Sequence, residues 1–388
     1  MNYFPLNDSQ LDWQERTRDL AEKVMGPLSE GYDRSGRFPQ ESLDSLREAG
    51  LLALRVSKEY GGLGADLLTT CLVVEEISKK CPSTAMCYKM HLEATEILNL
   101  IPTPDQIERF VKPLAEGKLF ATIAGGESGG STGNDWQADG LKVTSIKNEN
   151  GSFKLDDIRK SYVTSAGHAT HYTMFCRVEG LYTEGPPNLL MVEADQVDWE
   201  VLGEWDGLGM RGNCSTPMRF SGTVPEGNLL GADQPTGVLW GKYLLPALVL
   251  TYGAAYLGIA SGAYELGCSE ATKRHPSGDR RIDSPVQQRR MAELSAQIEA
   301  ARALLHSAAS AADQGRVTNP LPFMQAKVLC AEAAVRVTQD LMTMFGGTAF
   351  ARRLPFERYF RDARAGMVMG VANDQAYQTI AELLFPEE

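Results

Sequence analysis

Apolar residues recur at helical spacing through the first part of the chain. Leu11, Leu20, Ala21, Val24 and Leu28 fall roughly a turn apart behind a capping Asn7 or Asp8, predicting a helix that ends near Gly26-Pro27 or shortly after. Pro39 to Ala49 predicts a second helix with Leu43 and Leu46 on one face and Gly50 placed to terminate it. A turn-rich break at 59–64 (EYGGLG) precedes a third, carrying Leu68, Leu72, Val73, Glu75 and Ile77. From Leu119 to about Gly231 the pattern shortens. The runs 161–164, 171–178, 188–192 and 217–220 are β-branched or aromatic and separated by Gly, Pro, Asn and Asp, which predicts a small β domain. Beyond Gly231 the helical period returns. Met291, Leu294, Ile298, Ala301, Leu305, Ala308 and Ala312 form one seam, and Val328, Ala331, Val335, Thr338 and Met342 a second, as in a tightly packed bundle.

The expected class is therefore α+β, mainly α. It comprises a helical domain over 1–118, a β domain over 119–232 and a helical bundle over 233–388. One uncharged run, Tyr243–Tyr264, is long enough to cross a bilayer, but it carries Pro246, three glycines, Thr251 and Ser261, and it reads as a helix buried on all sides.

Composition narrows the partners. With 38 basic against 50 acidic residues, the formal charge of −12 disfavours nucleic acid or anionic lipid. Seven scattered cysteines with no CxxC pattern indicate buried thiols rather than a disulfide framework or a zinc site. His168 and His171 lack partners at metal-ligating spacing and read as structural. The N-terminus shows no basic region followed by an apolar core, so the cytoplasm is the expected compartment.

Several segments, in order, resemble the acyl-CoA dehydrogenase superfamily. They are EYGGLGAD at 59–66 with VEEIS at 74–78, DQIERFVKPLAEG at 105–117, GLGMRG at 207–212 with VPEGNLLG at 224–231, and Gly346-Gly347 followed by ERYFRDAR at 357–364. The resemblance implies an N-terminal helical domain, a central β-barrel-like domain and a C-terminal four-helix bundle. It also implies a tightly held FAD, and a homotetramer or homodimer whose flavin sites use residues of two subunits. The glycine-rich stretch 126–133 (GESGGSTG) then matches a flavin-lining turn, with Glu127 and the Thr132 hydroxyl as candidates. In KSYVTS at 160–165, Tyr162 matches an aromatic packed on the flavin and Thr164 a hydroxyl directed at its N5; alternation on a strand puts both on one face. Arg274 in RHPSG matches an arginine reaching the FAD pyrophosphate of a neighbouring subunit, a task suited to a permanently charged guanidinium. Gln288 matches a polar contact, and Gly346 and Gly347 the approach to the adenosine half.

Dehydrogenation of an acyl thioester needs a carboxylate to take the α proton. By the resemblance that carboxylate belongs to a segment that here reads MVMGVAND at 367–374, with Met369 at its place, or to the buried helix at 244–250 (LLPALVL), which has none. Asp374 is the nearest carboxylate to the first position. A reduced-flavin monooxygenase of a small organic substrate is the alternative, with His91 in MCYKMH as proton donor. A scaffold that has lost catalysis is the third reading. The expected partners are a CoA- or carrier-protein-bound acyl thioester and an electron acceptor.

Overall fold

A computed structural model describes residues 4–127, 143–181 and 185–386. The first helix, α1 (Asp8–Leu20), begins at an Asn7 cap whose side chain accepts from the Gln10 amide while Gln10 answers to the Asn7 amide. The chain does not stop at Gly26-Pro27. A widened turn at Ala21–Met25 leads into α2 (Gly26–Ser35), with Pro27 in its first turn, where no amide donor is missed. The buried face is Gln10, Thr17, Ala21 and Met25 rather than Leu11, which is exposed. Next come α3 (Gln40–Glu48), ended by Gly50 at φ +73°, then α4 (Leu67–Lys80) and α5 (Pro82–Leu100). Every residue of α5 from Pro82 to Leu98 is buried.

The described residues of the central part form two sheets. In one, β1 (Ala121–Ala124) lies parallel to β5 (His171–Val178), which also pairs with β2 (Ser145–Ile146) and, antiparallel, with β6 (Asn188–Glu193); β9 (Leu229–Leu230) completes the edge. The other runs β3 (Asn148–Glu149), β4 (Ser152–Val163), β8 (Thr216–Pro225), β7 (Val197–Val201). Tyr172 of one sheet meets Phe220 of the other edge to face at 5.1 Å, marking their shared core. His168 stacks on Phe38 at 4.0 Å, and His171 bonds Thr170 and meets Phe110, structural contacts in both cases.

The uncharged run forms most of α6 (Leu245–Thr272), which is long and apolar enough to span a membrane but lies buried inside the fold. It packs against α4, α5, α7 (Pro285–Asp313), α8 (Leu321–Phe345) and α9 (Phe356–Ala363). Its glycines let neighbouring backbones approach: a Cβ at Gly258 would sit 2.5 Å from the Glu75 carbonyl oxygen on α4. The α7 seam is buried as its spacing predicts up to Ala308, with Ala312 half-exposed. On α8 the stripe is rotated. Ala334, Val337 and Leu341 are buried while Val335 and Met342 are half-exposed, because α8 packs on α6 and α7 together. The last helix, α10 (Asn373–Leu384), lies against α8.

Candidate active site

Where α5, the ends of β1, β4 and β5, the start of α6 and the chain between α9 and α10 converge, a cavity of about 700 Å³ opens. That size suits a small-molecule site. Its apolar wall includes Met86 and Met90 from α5, Phe175 from β5 and Leu248 and Tyr252 from α6.

The β-domain wall is polar and aromatic. Lys160, buried near the end of β4, places Nζ 2.6 Å from Glu127 Oε1 and 2.6 Å from the Phe175 carbonyl oxygen. Burial pulls its pKa down, and the Glu127 charge opposes that. The other Glu127 oxygen accepts from the Thr144 hydroxyl at 2.9 Å, so this carboxylate is spoken for. Thr164 and Ser215 pair their hydroxyls at 2.8 Å. Two hydroxyls sharing one hydrogen bond leave one proton to offer a ligand. Tyr162 stands in the same wall with 72% of its surface exposed.

Opposite lies a buried ion pair. On α5, Lys89 and Glu93 are one helical turn apart, and the Lys89 ammonium bonds Glu93 Oε1. Thr251 on α6 donates to the same oxygen at 2.7 Å, while the Lys89 ammonium also sits 3.0 Å from the centroid of the Tyr252 ring. Among the described residues, Glu93 Oε2 has no hydrogen-bond partner. Burial raises the Glu93 pKa, Lys89 only partly offsetting it, and pushes the Lys89 pKa down to about 8.

The cavity is closed by Val368, Met369, Gly370 and Val371. Lys327, buried on α8, holds this segment by donating to the carbonyls of Gly366 (2.9 Å) and Val371 (2.6 Å) and to Asn373 Oδ1 (2.7 Å). Lys327→Met would leave three acceptors unpaired at a cost of about 1–3 kcal/mol each where they stay buried. The expected result is loss of amide hydrogen-exchange protection across 366–373 with protection retained in β4 and β5; unchanged protection of that segment would refute the clamp.

Two family descriptions match the chain: "Acyl-CoA dehydrogenase, N-terminal domain" over residues 7–118 and "Acyl-CoA dehydrogenase, C-terminal domain" over residues 249–385. The chain belongs to the acyl-CoA dehydrogenase family. It is 26% identical over 363 residues to the probable acyl-CoA dehydrogenase FadE25 of Mycobacterium tuberculosis, covering 93% of this chain and 91% of that one. It is 28% identical to the cyclohexane-1-carbonyl-CoA dehydrogenase of Geobacter metallireducens, covering 96% of each. The solved structure of butyryl-CoA dehydrogenase from Megasphaera elsdenii superposes with a TM-score of 0.88 at 24% identity, over 98% of this chain and 99% of that one, which establishes the fold.

For an acyl-CoA dehydrogenase the cavity wall suits a flavin. Tyr162 offers an uncovered aromatic face, Thr164 with Ser215 a spare donor, and Gly126 backbone with open space beside it. Sequence and structure thus bring Glu127, Tyr162 and Thr164 to one site, Glu127 as a tethered wall residue. Thr132 lies outside the described residues.

The remaining candidates are not at this cavity. His91 is fully buried; its Nδ1 accepts from the Ala121 amide at 3.0 Å and its Nε2 meets the Leu52 carbonyl oxygen at 2.9 Å, so the ring spends both nitrogens pinning β1 to the turn at Leu51–Ala53. Burial pushes its pKa down to about 4, and a neutral, doubly engaged imidazole has no proton for a substrate. Asp374 is exposed on the first turn of α10, where Gln375 reaches the wall instead. Arg274 is exposed and bonds the Gly278 carbonyl at 2.8 Å. Gln288 on α7 and Gly346-Gly347 after α8 are exposed too, Gly346 with φ +55° and ψ −131°.

Sequence reasoning missed Lys89 and Glu93. The available signal was their one-turn spacing in a stretch that shows no solvent face, since charges there must be paired or in use.

Proposed function

We propose that this protein is an FAD-dependent dehydrogenase that removes the α and β hydrogens of a saturated acyl thioester. The observation that carries the reading is the two-sided cavity: an exposed aromatic with a hydroxyl pair on one wall and an apolar chamber on the other. Tyr162, Thr164 and Ser215 would hold the isoalloxazine, with Gly126 allowing close backbone approach. Bound there, FAD supplies a two-electron acceptor for the β hydride. The apolar wall takes the acyl chain and excludes water, which strengthens every polar contact inside. Arg274, Gln288, Gly346 and Gly347 would serve the FAD of a neighbouring copy in a dimer or tetramer, which accounts for their exposure here. The acyl group arrives on coenzyme A or a carrier protein, and the electrons leave to a protein acceptor. The monooxygenase alternative rests on the two base positions left without a carboxylate; its candidate proton donor, His91, has both ring nitrogens engaged elsewhere.

Purified protein is expected to show flavin absorption bands, and anaerobic mixing with saturated acyl-CoA thioesters to bleach them. A protein that takes up no added FAD, or a loaded one that no acyl thioester bleaches, would refute the proposal.

A further inference from the structure

We infer that Glu93 is the general base that withdraws the α proton of the thioester. The inference rests on the dehydrogenase reading above and deepens it by assigning the proton acceptor.

Among the described residues lining the cavity, two carry carboxylates, Glu93 and Glu127. Glu127 gives one oxygen to the Lys160 ammonium and to the Thr144 amide, and the other to the Thr144 hydroxyl. Glu93 differs at each point. Oε1 is fixed from two directions, by Lys89 and by Thr251, so the group is oriented without help from substrate. Oε2 has no partner among the described residues, on a residue 2% exposed that lines the cavity. A buried oxygen with a lone pair and no donor is costly, and such a site persists where a ligand supplies the missing hydrogen. The segment that closes the cavity, Val368–Val371, brings no carboxylate of its own, and Asp374 points to solvent. Burial raises the basicity of the carboxylate toward working pH, which is what proton removal from carbon requires.

The step is a proton transfer. The Cα–H bond breaks, an O–H bond forms at Oε2, and the electron pair stays on the substrate, delocalised onto the thioester carbonyl. Lys89 remains beside Oε1 throughout and stabilises the carboxylate before transfer. FAD held by Tyr162, Thr164 and Ser215 would supply the two-electron acceptor for the β hydrogen and its electron pair.

The test separates proton removal from redox. FAD-loaded wild type and Glu93→Gln are incubated anaerobically in D2O with a panel of straight and branched saturated acyl-CoA thioesters; deuterium entry at Cα is read by mass spectrometry, and affinity by calorimetry. Gln keeps the shape and the Thr251 bond, and the double variant Lys89→Met/Glu93→Gln removes the charge pair together, so that a folded protein remains if the single change leaves Lys89 uncompensated. The expected result is a loss of roughly 10²–10⁴-fold in α-deuteration and in flavin bleaching, with FAD content and thioester Kd within a few-fold of wild type. Deuteration at the wild-type rate in a folded variant overturns the assignment. So does a weakened Kd with unchanged exchange, which would make the ion pair an anchor for a polar acyl group. If the wild type itself neither exchanges nor bleaches with any thioester, the dehydrogenase reading fails; if the wild type does both and the variant does too, the base assignment alone fails.

Discussion

Gly262→Val is expected to yield no stably folded protein. A Cβ at this position of α6 would overlap the Lys79 carbonyl oxygen and lie 2.9 Å from the Tyr359 hydroxyl, which itself donates to that carbonyl at 2.5 Å. The obstacle is backbone, so no rotamer change relieves it, and one turn earlier Gly258 is pressed just as closely against Glu75 and Ser78. Separating α4 from α6 would also break the Ser78 hydroxyl bond to the Ala255 carbonyl at 2.6 Å. Overpacking commonly costs about 1–3 kcal/mol where side chains yield, and more is expected where they are not the obstacle. Against a total stability on the order of 5–15 kcal/mol the variant should be insoluble or melt far below wild type by circular dichroism. Gly31→Ala, on α2 with open space beside it, is the control and should melt with wild type. Coincident melting of Gly262→Val and wild type would disprove the close approach.

Glu75→Leu is expected to cost about 3 kcal/mol, since it takes from Arg302 its more buried carboxylate partner and leaves it only the more exposed Glu299. Glu75, on α4 and 1% exposed, receives Arg302 of α7 at 2.8 Å and Ser261 of α6 at 3.3 Å, tying three helices together. Burial alone would raise its pKa, but the charges of Arg302 and Lys79 outweigh that and hold it down at about 2, against an ordinary 4.5. His306, beside the same carboxylate at 3.9 Å, is pushed down to about 4 by burial. A carboxylate with a depressed native pKa contributes stability that is present above its unfolded pKa and lost as pH falls. The wild type should therefore lose about 3 kcal/mol from this group between pH ~4.5 and ~2. Urea midpoints of wild type and Glu75→Leu should converge over that window; a constant gap would refute the assignment.

The fold was readable in the chain because its two hydrophobic periods alternate in long blocks and the matched segments fall in order. Tyr162 and Thr164 both line the cavity, but β4 ends at Val163 and Thr164 stands in the turn beyond it, so strand alternation does not account for the pair. Helical spacing reports burial but not whether a buried position borders packed atoms or a void, so the one-turn spacing of Lys89 and Glu93 marks a paired charge without showing that Glu93 borders the cavity. His91 shows the converse, since its surroundings are backbone atoms of Leu52 and Ala121, remote in sequence and absent from any local pattern. The widened turns at Ala21–Met25 and Leu239–Leu244 shift the phase of the helices beyond them, which is why a strict helical period breaks off near Gly26-Pro27 although the helix continues to Ser35. Asp374 missed the cavity by one position on α10, where a single residue turns a side chain by about 100°.

The Lys327 grip has a use for engineering. Two of its three acceptors are main-chain carbonyls, at Gly366 and Val371, and a carbonyl is supplied by whatever residue stands there. The ends of the stretch between them are thus moored to α8 independently of its side chains. The segment behaves as an exchangeable cassette: residues 368 and 369 could be rewritten to reshape the chamber for other acyl groups while Lys327, Asn373 and Gly370, at φ +76° against Tyr252, keep its path.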